Sequence, residues 1–419
     1  MAQKKASLYI ALLIAFIDYM GIGLIYPLFS SMIFDYSHDL LPEETTHMMR
    51  GLWLGILIAL MPMAQFFSSA FWGTLSDKYG RKNPLCISVA IGFFGYILAL
   101  SGAALSSIWL LFLSRIVVGI GSGNMSIVQA TIADLSDHEN KAQNFSLFSM
   151  AIGAGFTLGP FFGGTLSSWQ YHIPFLFATL MIFVNLLFVI AFFKETHLPV
   201  KSKKLSWKIG IEHISKAFRF KGIRTILLCS FLHNFGWSYF FEFIPVYLIS
   251  HFMFAPLDLG VFYACAGFFY SISSGILLRP LTSRYKPIIL FVVGNLFSSF
   301  AIFAFALLPS PIWIWPLLCL LCFFVALVTP ASITYVSNCA SAEIQGEALG
   351  ILTSVNAAAY ILSPLISGFL VGSYPTLPML VGGLSLFAAF FIMVCVFRAR
   401  LLEIGPGLRN YEQNGAGPA

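Results

Sequence analysis

The chain has 419 residues, of which 58% are hydrophobic and 10% charged, with a mean hydropathy of +0.87. Soluble domains carry about 25% charged residues, so 23 Lys and Arg plus 17 Asp and Glu cannot coat the two or three soluble domains this length would make. The same shortage excludes a disordered chain and a nucleic-acid-binding module. What remains is a polytopic membrane protein, which accommodates 44 Phe and a net charge of only +6.

A spanning helix needs about 20 mostly apolar residues. Turn and charge signals divide the chain into twelve such spans: 7–30, 51–72, 84–105, 108–130, 142–166, 173–193, 223–249, 258–278, 287–308, 311–336, 347–371 and 376–397. Lys4 and Lys5 before an apolar run resemble a signal peptide. However, Asp18 interrupts that run, no small-residue cleavage site follows, and it continues to Pro27, so the first span is expected to be retained. The expected organisation is an N-terminal six-helix bundle (1–193), a cytoplasmic linker (194–222), a C-terminal six-helix bundle (223–397) and a cytoplasmic tail (398–419). Within the linker, Trp207, Ile211, Ile214 and Phe218 share one helical face, which suits an amphipathic helix on the inner leaflet; a charged linker without structure is the alternative. The end of the tail, rich in Gly and Pro, reads as disordered.

Lys and Arg give the orientation. With the N-terminus inside, two fall at the start, three between spans 2 and 3, and one between spans 4 and 5. Nine lie in the linker or at its edge (Arg224 included), three between spans 8 and 9, and three in the tail, which places 21 of 23 on one side. Arg50 alone lies outside, and Arg115 lies within a span. The positive-inside rule therefore predicts a multi-pass plasma-membrane protein with both termini cytoplasmic, an inner-membrane one if the source is a Gram-negative bacterium. Trp53, Trp109, Trp169, Trp313 and Trp315 fall at outer span ends, where an interfacial aromatic belt belongs.

The two halves repeat each other. Gly73–Tyr79 aligns with Arg279–Tyr285 at an offset of 206, and Pro160–Gly164 with Pro364–Gly368 at 204. Ala133-Asp134-Leu135 aligns with Ser337-Asn338-Cys339, again at 204. Duplicated six-helix halves are the architecture of secondary transporters.

Three motifs stand out. Between spans 2 and 3 lies Gly73-x-Leu75-Ser-Asp77-Lys78-x-Gly80-Arg81-Lys82. Gly73 and Gly80 permit tight backbone approach. Asp77 suits a helix N-terminus or a basic partner, and Arg81 suits an acid or a helix C-terminus, so together they can latch a gate. Its counterpart at 279–286 has Ser283 in place of the acid. Span 5 carries Gly155-x-x-x-Gly159-Pro160-x-x-Gly163-Gly164, small residues that allow close helix packing around a proline bend. Span 4 carries Arg115-x-x-x-Gly119-x-Gly121-x-Gly123, with Arg115, Gly119, Ser122, Ser126 and Gln129 on one stripe. An Arg at that depth belongs in the bundle interior.

On these motifs the chain, over residues 7–397, resembles the major facilitator superfamily, and within it the twelve-helix drug:proton antiporters such as the tetracycline-type efflux pumps. The resemblance implies an all-α polytopic fold, with two pseudo-symmetric six-helix bundles around a central cavity. It also implies that the loop motif is the cytoplasmic gate and that the span 5 motif marks exporters exchanging substrate for protons. Val118 stands where the family's span 4 motif has Gln.

Intramembrane carboxylates are the candidates for coupling. Asp18 lies mid-span in Phe16-Ile-Asp-Tyr-Met-Gly-Ile-Gly-Leu-Ile-Tyr-Pro27, where an Asp costs about 2.5–3.5 kcal/mol on insertion scales. The resemblance implies that an acid there serves substrate or proton binding. Glu242 follows Asn234 and Ser238 on one stripe of span 7, before Pro245. Asp18, Arg115 and Glu242 are therefore the expected proton-coupling residues. Gln65, Asn234, Ser238, Tyr263, Tyr270, Asn356 and Tyr360 are the expected polar and aromatic lining of a substrate cavity.

The reading is a proton-coupled antiporter exporting a small amphipathic organic compound. An importer or facilitator on the same fold is the alternative, and the span 5 motif argues against it. A membrane-embedded enzyme is remote, because the eight His are dispersed and none joins an H-E-x-x-H. No cofactor or metal is expected, and Cys319-x-x-Cys322 sits within an apolar span as packing. The expected partners are the substrate, protons and the lipid bilayer, without nucleic acid and with the monomer as the working unit.

Overall fold

The computed structural model describes residues 2–35, 40–136, 141–196, 212, 215, 223–339, 345–371 and 374–403. The linker helix and the end of the tail lie outside the described residues. The N-terminal half comprises α1 (Ala2–Phe34), α2 (His47–Tyr79), α3 (Lys82–Ala104), α4 (Ile108–Ser122), α5 (Met125–Asp134), α6 (Lys141–Ser167) and α7 (His172–Phe192). The C-terminal half comprises α8 (Arg224–Phe252), α9 (Pro256–Ile272), a π turn (Ser273–Leu277) leading into α10 (Leu278–Arg284), α11 (Pro287–Phe305), α12 (Ile314–Cys339), α13 (Gln345–Val371) and α14 (Leu377–Glu403).

Among the described residues, eleven helical stretches are long and apolar enough to cross a membrane. The twelfth crossing, α8, is 29 residues long but carries His233, Asn234, Ser238 and Glu242. Local chemistry sets several starts. Thr46 and Ser107 side chains accept from the backbone N–H of Met49 and Leu110, and α9 and α11 open on proline. Trp109, Trp169 and Trp313 are 68%, 73% and 57% exposed at the ends of their crossings, as belt residues must be.

Helix pairing in one half recurs in the other. In the first, α1 packs on α6, α3 on α4 and α3 on α7; in the second, the matching pairs are α8 on α13, α11 on α12 and α11 on α14. The halves meet chiefly through two further pairs, α2 with α13 and α6 with α9, and α1 also touches α8 and α9. These crossings are close enough to require glycine. A Cβ on Gly368 would stand 2.8 Å from Gly55 Cα, and one on Gly164 would stand 2.9 Å from Gly260 Cα. Gly164 and Gly368 differ by 204 in sequence and Gly55 and Gly260 by 205, so one contact is the repeat of the other. The carbonyls of Pro160 and Pro364 close on Gly260 and Gly55 in the same way. This double clasp lies toward the end of the molecule opposite Arg81 and Lys82, here called the cation-poor end.

Arg50 occupies that end and is 1% exposed. Its guanidinium donates to the carbonyls of Ile33 (2.5 Å), Pro42 (3.2 Å) and Thr45 (3.3 Å), closing the last turn of α1 and the connection to α2. The exception to the charge bias is thus a helix-capping group.

The fourth span departs from the expected continuous helix. It breaks at Gly123-Asn124, where Asn124 N–H turns back to Gly121 O at 3.1 Å. Gly123 sits against Ser68 and Trp72 with no room for a side chain. Helix α2 supplies donors to the carbonyls near the break: Ser68 Oγ to Gly119 O (3.2 Å), Trp72 Nε1 to Ile120 O (2.7 Å) and Gln65 Nε2 to Ser122 O (3.2 Å). A broken helix survives in an apolar bundle because its backbone groups find such partners.

Candidate functional site

Three polar constellations lie along the molecule. The first is at the cation-rich end. Arg81 is 4% exposed, and its guanidinium reaches Asp77 Oδ1 (2.7 Å), Ser76 Oγ (2.7 Å) and Asp134 Oδ2 (2.9 Å). Burial alone would lower its pKa, but Asp134 and Asp77 outweigh that and raise it, so the group is a fixed cation. From the opposite side, Glu195 accepts the backbone N–H of Arg81 at 2.6 Å and of Lys82 at 3.1 Å, capping the start of α3. Gly80 has φ +89°, and a Cβ there would strike the Glu195 carboxylate, so this glycine is needed twice over. Gly73 is not: its Cβ would meet only Ser126 Oγ at an ordinary 3.6 Å, contrary to the tight approach expected there. Lys82 Nζ reaches Ile190 O at 3.3 Å.

The second constellation surrounds Asp18, inside the N-terminal bundle. A small cavity there is lined by Asp18, Ser88, Tyr96, Ser122 and Asn124, with Gly92 among the apolar remainder. Asp18 Oδ2 and Asn124 Oδ1 are both buried without a hydrogen-bond partner. Tyr96 neighbours both this carboxylate and Arg115. Arg115 is interior, 3% exposed, with Nη2 on Met61 Sδ at 2.6 Å and its guanidinium 5.1 Å above the Phe29 ring. Its Nε has no partner.

The third lies where the bundles face each other. Glu242 is buried with Oε2 unpartnered, and Tyr26 of α1, Ser238 of α8 and Tyr263 of α9 stand beside its carboxylate. Tyr26 is also next to Arg115, so one cation neighbours both tyrosines that approach the two acids. Tyr263 Oη donates to Phe241 O at 2.6 Å, and Tyr360 Oη donates to Asn234 Oδ1 at 2.9 Å. Tyr270 and Tyr19 lie close to Tyr360. Asn356 is half-buried with Oδ1 unpartnered. Gln65 does not join this cluster, because its amide is engaged with Ser122 O across the α2–α4 seam.

The span 5 glycines serve two faces of α6. Gly155, Gly159 and Gly163 admit the α1 backbone at Phe16, Met20 and Leu24, while Gly164 meets α9. Pro160 presents its ring to Gly23 and its carbonyl to Gly260. His233 is buried and its Nδ1 lies 2.9 Å from Asn295 Oδ1, a closed structural pair within the second bundle. Asp134, Glu195, Asn124 and Tyr26 are site residues that sequence reasoning did not single out.

Twelve crossings in two repeated bundles, with buried acids and an ion-paired loop after α2, define a multi-pass membrane transporter. A profile of the Major Facilitator Superfamily matches residues 11–340 and 280–408, and the chain belongs to that family. It is 27% identical over 395 residues to the quinolone resistance protein NorA of Staphylococcus aureus, covering 93% of this chain and 96% of that protein. It is 29% identical over 371 residues to the class G tetracycline resistance protein of Vibrio anguillarum, covering 86% and 89% respectively. Among solved structures it resembles the human organic anion transporter MFSD10, with a TM-score of 0.70, 20% identity and coverage of 93% and 99%. A peptide transporter, POT, superposes with a TM-score of 0.76 at 15% identity, covering 93% and 94%. The superfamily is one of transporters, not an enzyme class.

Proposed function

We propose that this transporter is a proton-driven antiporter that exports small amphipathic organic compounds by alternating access. Asp18 and Glu242 exchange the protons, and Arg115, set beside both Tyr96 and Tyr26, links the two acids. The observation that carries this reading is the pair of buried carboxylates with unpartnered oxygens, one inside a bundle and one facing the other bundle. With the cation-rich end and both termini in the cytoplasm, the glycine clasp closes the outer side. One charge moved across 100 mV is worth about 2.3 kcal/mol, enough for roughly a 40-fold gradient of a neutral substrate. The relatives named for quinolone and tetracycline resistance support compounds of those classes as substrates.

The test uses inside-out membrane vesicles holding a preformed acid interior. Addition of a quinolone or of tetracycline should discharge the pH gradient, and only in vesicles containing the protein. A gradient that stands unchanged while the compound accumulates would remove proton antiport.

In this reading the Arg81 cluster is the cytoplasmic latch, held from two sides. Asp134→Asn should then impair transport as much as Asp77→Asn does. Each loses a charge-assisted hydrogen bond of about 1.5–3 kcal/mol that holds the start of α3 to the rest of the N-terminal half. Initial transport rates in vesicles check this, with substrate affinity expected to stay near wild type. Normal rates in Asp134→Asn would place that residue outside the latch.

A further inference from the structure

The repeat of the two halves slips by one residue within a single crossing. Gly55 and Gly260 are 205 apart, whereas Gly73–Tyr79 and Arg279–Tyr285 are 206 apart. The second half therefore carries one residue more between its clasp and the loop at the cation-rich end. Helix α2 runs through the corresponding stretch without interruption, from His47 to Tyr79. In the second half the extra residue is taken up by the π turn Ser273–Leu277, where Leu278 N–H donates to Ser273 O, five residues earlier. Pro280, which stands where α2 has Thr74, has no N–H for the carbonyl of Ile276 and weakens the turn that follows.

The π turn is also where two helices part. Helices α6 and α9 cross in one continuous register: Gly164 meets Gly260, Thr157 meets Gly267 and Gly153 meets Ser271. Beyond these pairs the contact stops. Met150 is 65% and Ile276 66% exposed, and a Cβ on Gly275 would have nothing within 4 Å. Ser273 and Leu278 stay buried and the turn packs on α12, so it has one fixed side and one free side. In the first half, Ser68 and Trp72 pin the same stretch of α2 to α4, and Arg81 is paired with Asp77 and Asp134. The second half has Ser283 and Asn338 in place of those acids. Among the described residues neither Arg284 nor Lys286 forms an ion pair. Helix α10 is a seven-residue lever, about 10 Å long at 1.5 Å per residue, with no ionic lock at its end.

We propose that Ser273–Leu277 is a hinge on which α10 swings to extend the α6–α9 crossing as far as Met150, shutting the cation-rich end of the space between the bundles. The first half supplies the fixed side of that closure and the second half the moving one. Tyr270, three residues before the turn, lies close to Tyr360 in the inter-bundle cluster, so an occupant of that cluster bears on the hinge. The hinge rests on the alternating-access part of the proposed function and not on proton exchange.

The test is pulsed electron resonance between spin labels at Leu228 and Arg284, both exposed and both in the second half. Rocking of rigid bundles leaves a distance within one bundle unchanged, so bending at the turn is what alters it. Two populations several ångströms apart are expected without further substitution, while Leu228 paired with exposed Ile333 of α12 gives one narrow distance. Deleting Gly275 removes the extra residue and should make the helix as regular as α2, leaving a single narrow Leu228–Arg284 distance. Gly275→Ala keeps the residue count and should retain both populations. One narrow distance without the deletion would overturn the hinge. So would a folded deletion variant that stays as broad as before, since α10 would then be fraying instead of bending at the turn. Should the deletion variant fail to fold, the undeleted protein decides alone. If vesicles show no proton exchange while both populations persist, the antiport reading falls and the hinge stands. Proton exchange with a single narrow distance does the reverse.

Discussion

Replacing Asp18 with Asn is expected to abolish coupled export while the protein still reaches the membrane. The carboxamide keeps the shape and the hydrogen bonding of the side chain but cannot release a proton. In the antiport reading the substrate gradient is sustained by the charge that the proton carries, about 2.3 kcal/mol per 100 mV. Removing that coupling should collapse the steady-state gradient from up to roughly 40-fold to about one. The measurement is substrate accumulation in inside-out vesicles, normalised to the amount of protein in the membrane. A wild-type gradient in Asp18→Asn would sink the assignment. Asp18 sits inside one bundle rather than between the two, so the substrate itself has little cause to touch it. Substrate binding in the variant should therefore persist, separating coupling from recognition.

The second large effect concerns the clasp. Gly164→Leu and Gly368→Leu each drive a side chain into the backbone of the opposing helix, where a Cβ alone is already too close to Gly260 or Gly55. Overpacking of this kind costs about 1–3 kcal/mol, which moves a two-state equilibrium by roughly 5- to 150-fold. The closed arrangement is the one penalised, so the cation-poor ends should separate and transport should stop in an outward-open form. Spin labels at Met48 and Tyr374, both exposed near that end, report the separation by pulsed electron resonance. Longer distances should dominate in both variants. Gly275→Ala, at a position with open space around it, should leave the distribution unchanged. A wild-type distance distribution in the leucine variants would reject the clasp. Because the two contacts are repeats of one another, the variants should resemble each other more than either resembles the wild type.

The crossings were legible because lipid makes hydropathy almost synonymous with position. Their ends were less so: α2 continues to Tyr79 rather than residue 72, since a helix runs past the apolar zone until something stops it, here Gly80. The repeat at offset 204 pointed to Pro160–Gly164 and Pro364–Gly368 without revealing what they touch. Gly55 and Gly260, themselves related by 205, complete the contact. The break in the fourth span was hidden, as no proline marks it and its stability comes from Gln65, Ser68 and Trp72 on another helix. Gln65, expected at the cavity, donates its amide to Ser122 O across that seam. In the sequence Asp134 is only a landmark of the repeat, because its partner Arg81 lies 53 residues away. Glu195 lies 114 residues from the Arg81 N–H it caps, and no local pattern announces so distant a contact.

The break in the fourth span has a mechanical consequence. Helix α5 is a ten-residue rod, about 15 Å long at 1.5 Å per residue. Asn124, just before its first residue, lines the Asp18 cavity, and Asp134, its last, grips Arg81. One short rigid helix therefore joins the Asp18 cavity to the Arg81 cluster, so the two polar constellations of the first half share a single structural member.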